Sequence, residues 1–130
     1  LLLYGTEKVV ARLEGRFPQC LHGAPMLLPR TGSALRRQVD EWLGTHELQV
    51  DVVGEIDDAG SLRAFGLRGH GLFPVRAALA SEVADLRAAV RVGSLEPLRE
   101  RYYAITRERT VRHPALSRVI AEARQRLDVT

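Results

Sequence analysis

Apolar and polar positions along the 130 residues switch between a two-residue and a helical period, most clearly over Val50–Pro74, VDVVGEIDDAGSLRAFGLRGHGLFP. Val50, Val52 and Val53 are β-branched and end at Gly54, which predicts a strand. Asp57 or Asp58 can cap a helix on which Leu62, Phe65 and Gly66 recur at helical spacing. Gly69 and Gly71 stop that helix, and Leu72-Phe73-Pro74 begins a new extended run. In a parallel α/β sheet, ligands sit in the turn beyond a strand's carboxyl end. Here that turn carries Glu55, Asp57, Asp58 and Ser61. The pattern therefore reads as a small-ligand-sensing α/β lobe rather than an enzyme.

The same two periods organise the rest of the chain. Leu1–Thr6 predicts a strand closed by Gly5, and Glu7–Leu13 a short amphipathic helix with Val9, Val10 and Leu13 on its apolar side. Phe17-Pro18, Gly23 and Pro25 keep the next stretch irregular. Met26-Leu27-Leu28 is wholly apolar, as expected of a strand covered on both faces. Ser33 is a good N-cap for a helix over Ala34–Leu43, whose face carries Leu35, Val39, Trp42 and Leu43. Gly44–Glu47 is a connection. Val75–Leu79 continues the Phe73 strand into a loop, and Ser81 caps a helix over Glu82–Ala89. Val90–Gly93 reads as a strand, as does Arg101–Thr106, where Tyr103 and Ile105 alternate with Tyr102 and Ala104. Pro114 starts a last helix, with Leu116, Val119, Ile120, Ala123 and Leu127 as its stripe.

The turn Pro29–Ser33 adds chemistry to this frame. Backbone N–H groups at a helix start, with the Thr31 and Ser33 hydroxyls and Arg30, suit a carboxylate or other anion. The Glu55–Ser61 turn suits a cation or hydrogen-bond donors. Both follow strands placed as neighbours, so both should open on one cleft, where a zwitterion or small polar effector would satisfy the two together. A sodium ion would need only the second.

Composition narrows the remaining options. The net charge is +3 and the pI about 9.6, yet Lys8 is the one lysine and acidic residues are interleaved throughout. This describes a mixed solvated surface rather than a nucleic-acid stripe. The five arginines between Arg99 and Arg112 have Glu100 and Glu108 among them and read as a solvated strand edge. Cys20 is the one cysteine, so no intrachain disulfide forms, consistent with a cytoplasmic protein. His22, His46, His70 and His113 are scattered, without the spacing of a zinc site. Ser33, His70 and Asp57 lack a G-x-S-x-G elbow. Gly66–Gly71 lies between helix and strand, the reverse of a phosphate loop, and reads as a helix stop. No catalytic residue, metal or cofactor is expected, and no membrane span. The absence of an initiator Met and the short opening Leu1-Leu2-Leu3-Tyr4 point to a piece of a longer protein.

APMLLP followed by SALRRQVDEWL, then VVGEIDDAGSLRAFG, GHGLFP and ERYYAITRERTVRHPAL, resembles the regulatory part of LysR-type transcriptional regulators. The resemblance runs from about Leu3 to Leu127 and is strongest to the NhaR-like branch, associated with activating sodium/proton antiporter genes. It implies a periplasmic-binding-protein-like (type 2) effector-binding domain of two α/β lobes with a small-molecule or ion effector between them. Family members also carry an N-terminal winged helix-turn-helix that binds DNA, and their regulatory domains pair side by side as homodimers. This chain departs from that pattern, with neither the DNA-binding domain nor the first half of lobe one. Leu1–Gly5 would be a crossing strand, residues 6–76 the second lobe and 90–127 the returning part of the first. Carried onto this sequence, the cleft positions are Thr6, Arg30, Thr31, Ser33, Glu55, Asp57 and Ser61, with Phe73 and Pro74 lining the floor. A solute-binding protein of a transport system shares the fold and is the alternative.

Overall fold

The computed structural model describes residues 1–81, 84–99, 101–107, 110 and 112–127. Two compact units divide the chain, residues 1–99 and 100–130.

In the first unit β1 (Leu2–Gly5) leads into α1 (Glu7–Val10), capped by the Thr6 side chain, which accepts from the Val9 N–H. The helix is shorter than the expected Glu7–Leu13. Beyond Val10 the chain tightens, with Arg12 and Leu13 N–H groups reaching back only three residues. A 3-10 turn over Gln19–Leu21 follows, in which Cys20 is buried. Burial pushes the Cys20 thiol pKa up. β2 (Pro25–Leu28) then feeds α2 (Ala34–Thr45), with Ser33 as N-cap as expected. β3 (Asp51–Glu55), α3 (Ala59–Leu67) and β4 (Phe73–Val75) complete the predicted strand–helix–strand unit. Of the two candidate caps Asp58 is the one used, and Gly69 stops the helix at φ +85°.

Three expectations after β4 need correction. Val75 does continue the Phe73 strand, but in place of the expected loop a single helical turn, α4 (Ala77–Ala80), forms, and Ser81 closes it rather than capping the next helix. Of the helix expected over Glu82–Ala89, the described part, Ala84–Ala88, is a 3-10 turn, while Glu82 and Val83 lie outside the described residues. The sheet is also mixed rather than parallel. β2 and β3 are parallel, with Leu28 opposite Glu55, but β1 runs antiparallel to both β4 and β5 (Val90–Ser94). Leu72 joins the two sets, since its N–H donates to Pro25 O (2.8 Å) and its carbonyl accepts from the Leu27 N–H (2.7 Å). The strands are thus laid out β3-β2-β4-β1-β5.

Alternation along these strands sorts the core onto two faces. Leu3, Met26, Leu28 and Leu72 pack with Val39, Trp42 and Leu43 of α2. Leu27, Phe73 and Val75 pack with Leu62 of α3 and with Leu86. The indole N–H of Trp42 donates to Glu96 O (2.8 Å), tying α2 to the segment beyond β5. β3 is the outer strand, so Val52 and Val53 stay exposed, as does Phe65 on the outer side of α3.

In the second unit, Arg101–Thr106 has the alternation of a strand without being one. No strand of the described residues pairs with it, and Tyr103 and Ile105 are exposed together with Tyr102. Alternation predicts a strand only where a neighbour supplies hydrogen bonds and one face is covered. The solvated strand edge expected of Arg99–Arg112 falls with it, and Glu100, Glu108, Arg109 and Val111 lie outside the described residues. α5 (Pro114–Leu127) forms where predicted, with Leu116, Val119 and Leu127 of its stripe exposed.

Candidate functional site

Parallel pairing with Leu28 opposite Glu55 sends the chain out of β2 and β3 at the same edge. The two turns singled out by their polar residues are therefore adjacent, and they are bonded to each other. The Thr31 hydroxyl donates to Glu55 Oε1 (2.8 Å), and the Thr31 N–H donates to Oε2 (3.3 Å). Next to them Arg30 Nε lies 3.2 Å from Asp57 Oδ2. Both partners of that pair are mostly exposed, so it contributes little to stability.

Beneath the Thr31–Glu55 contact lies Arg36, a residue that the sequence reading passed over. It is 8% exposed, and its Nη1 donates to Glu55 Oε1 (3.1 Å) and to Pro29 O (3.0 Å). Its Nε reaches both Asp40 oxygens, at 3.0 and 3.2 Å. Burial works against the Arg36 charge, and the bonds to Asp40 and Glu55 more than offset it. A signal for it was available. Arg36 stands three and seven residues before Val39 and Leu43, so it lies on the buried stripe of α2, with Asp40 one turn ahead to pair with it.

The other expected residues have defined places. Ser33 Oγ accepts from the Arg36 N–H (3.2 Å) and so caps α2. Asp58 Oδ2 accepts from both the N–H and the hydroxyl of Ser61, each at 2.7 Å, so Ser61 turns toward its own helix start. These bonds hold the Asp58 carboxyl below its usual range. Thr6 is not brought to the two turns. It lines a groove of about 370 Å³ with Lys8, Arg12, Arg68 and Gly69, and none of the turn residues borders that groove. Phe73 is fully buried, with its ring under Gly66 and stacked on Tyr4 (6.3 Å), so in this structure it is a packing residue with no surface to offer as a floor.

The carboxylates of the second turn point to separate partners rather than converging on a shared point. Among the described residues no three His, Cys, Asp or Glu side chains gather as a metal site. No described helix is long and apolar enough to cross a membrane.

Hydrogen bonds from the Thr31 hydroxyl and N–H, with the Arg36 guanidinium, hold the Glu55 carboxyl below the ordinary range. The folded value is the lower one. The contribution is therefore present above the unfolded value of about 4.3 and lost as pH falls through the depressed folded value. In a carbon-detected titration, the Glu55 carboxyl should stay ionised as pH passes 4.3, and the Thr31 amide should shift only below that. A Glu55 midpoint at or above 4.3 would contradict the contact.

Comparison with known proteins agrees with this architecture. The LysR substrate binding domain family matches residues 6–128. The transcriptional activator protein NhaR of Escherichia coli K12 and that of Shigella flexneri are each 34% identical to the chain over 106 residues. That alignment covers 82% of this chain and 35% of each relative, so the chain spans about a third of their length. No solved structure matches it. With a family match over nearly its whole length and an α/β sheet edge that presents two polar turns, the chain belongs to the LysR substrate-binding domain family.

Proposed function

We propose that this chain is the ligand-sensing part of a LysR-type transcriptional regulator, with the effector bound at the carboxyl edge of β2 and β3. The observation that carries this is the joining of the Arg30–Ser33 and Glu55–Ser61 turns at one sheet edge, where open α/β sheets receive ligands. In this reading residues 6–76 are the second lobe and residues 90–127 the returning segment of the first, in a periplasmic-binding-protein-like domain. β1 is the strand that crosses between lobes. Effector binding would favour one lobe arrangement, and that preference would pass to a DNA-binding domain elsewhere in the protein. DNA is therefore a partner of the whole regulator and a small effector the partner of this domain. The protein would act in the cytoplasm, without a cofactor or catalytic step. Pairing of two copies belongs to the same account, and the outer edge of β3 is unpaired among the described strands, which favours association.

The test titrates sodium ion, acetate and glycine into the full-length regulator, as cation, anion and zwitterion probes. Thr31→Ala and Ser33→Ala should weaken the probe that binds by about ten- to a hundredfold, the usual cost of a lost hydrogen bond to a charged group. Binding equal to the parent in both variants would place the effector elsewhere.

A further inference from the structure

We infer that Thr31 and Arg36 form an anion-receiving cradle, that the Glu55 carboxylate fills it in the ligand-free protein, and that an effector carrying a carboxylate or other oxyanion binds by taking Glu55's place. The inference rests on the crevice proposed above and names the chemistry of its ligand.

The cradle is made of donors only. The Thr31 N–H and hydroxyl approach one carboxylate from one side, and Arg36 Nη1 approaches it from α2, at 3.3, 2.8 and 3.1 Å. Two donors on two oxygens, with a cation behind them, is how proteins hold a bound carboxylate. The cation is fixed before any ligand arrives. The Arg36 side chain is only 10% exposed and is anchored through Nε to Asp40 and through Nη1 to Pro29 O. Its occupant is less firmly held. The Glu55 side chain is 40% exposed at the end of an outer strand, so it can swing into water while the donors stay in place. A buried cation with fixed donors and a half-exposed internal partner is built for exchange of one carboxylate for another. Neighbouring groups fit an anionic ligand as well. Asp57 is ion-paired with Arg30, and Asp58 is turned to Ser61 at the start of its own helix, so neither takes a donor of the cradle.

Charge sets the sign of the expected effects. Glu55 competes with the ligand, so removing it should strengthen anion binding, whereas removing a cation-binding carboxylate would weaken its ligand.

The experiment titrates sodium acetate into the full-length parent, Glu55→Ala and Glu55→Gln, following the Thr31 amide and, in the parent, the Glu55 carboxyl carbon. Sodium chloride at matched concentration controls for ionic strength and for sodium itself, and sodium sulfate tests whether an inorganic oxyanion serves equally. Glu55→Ala should bind acetate at least about tenfold more tightly than the parent. Glu55→Gln, whose neutral amide still fills the cradle, should fall between them and covers the case in which the alanine variant folds poorly. In the parent, saturating acetate should move the Glu55 carboxyl signal toward that of a solvated glutamate. Equal acetate affinity in parent and both variants, or a Thr31 amide that follows sodium in the chloride control, overturns the inference. If that result comes while Thr31→Ala still weakens an effector, the crevice stands and only the exchange falls. If Thr31→Ala and Ser33→Ala also change nothing, both readings fall.

Discussion

Phe73→Ala should cost about 3–5 kcal/mol of folding stability, the usual range for emptying a buried aromatic site. The ring is fully buried at the start of β4, packs under Gly66 of α3 and stacks on Tyr4 of β1. It is the piece that seats α3 on the sheet, and hence the piece that sets where the Glu55–Ser61 turn leaves β3. Gly66→Ala attacks the same contact from the other side. A Cβ there would overlap the Phe73 ring, and overpacking of this kind costs about 1–3 kcal/mol. Small domains hold only about 5–15 kcal/mol in total, so the Phe73 change removes a large share. Chemical denaturation of parent and both variants checks the order, with Phe73→Ala the weaker protein. A Phe73→Ala loss under about 1 kcal/mol would show that α3 is not seated there.

Arg36→Ala should cost about 2–3 kcal/mol, since it breaks charged hydrogen bonds to Asp40, Glu55 and Pro29 O in a mostly buried setting. The value sits below that of breaking a fully buried pair because Asp40 and Glu55 are half-exposed and can rehydrate. Arg36→Lys should recover little. An ammonium cannot reach Asp40, Glu55 and Pro29 O at once as the guanidinium fork does. The same substitutions should raise the Glu55 midpoint, because one of the contacts that depress it is gone. Denaturation and the Glu55 titration together check this. Full recovery of both by lysine would mean that Arg36 acts as a point charge only.

How far the sequence led depends on how local the deciding physics is. Ser33, Asp58 and Gly69 act within one turn of the chain, and each does what its residue type suggests. The same locality made the Val50–Phe73 unit legible, and the parallel neighbours β2 and β3 then brought the Arg30–Ser33 and Glu55–Ser61 turns together. What failed depends on distant partners. Tyr102–Ile105 alternates as a strand should, but a strand is made by its neighbour, and nothing in the local pattern says whether one is present. The antiparallel course of β1 is fixed by β4 and β5, about 70 to 90 residues away along the chain. The family resemblance implies Phe73 as part of a ligand floor, whereas the structure buries it fully. Gly66, seven residues earlier, marks instead where its ring must fit. Arg36 escaped notice for a related reason. Its place on the α2 stripe and Asp40 one turn ahead are visible in the sequence, but Glu55, the partner from β3 that completes its contacts, is not.

The proposed effector site lies at the carboxyl edge of β2 and β3. The most direct measurement is an amide shift map of the full-length regulator with and without whichever of sodium ion, acetate or glycine it binds. The largest shifts should fall at Arg30–Ser33 and Glu55–Ser61, with little change along Lys8–Arg12 and at Arg68. Shifts confined to the groove beside Thr6, with Thr31 and Glu55 unmoved, would contradict it.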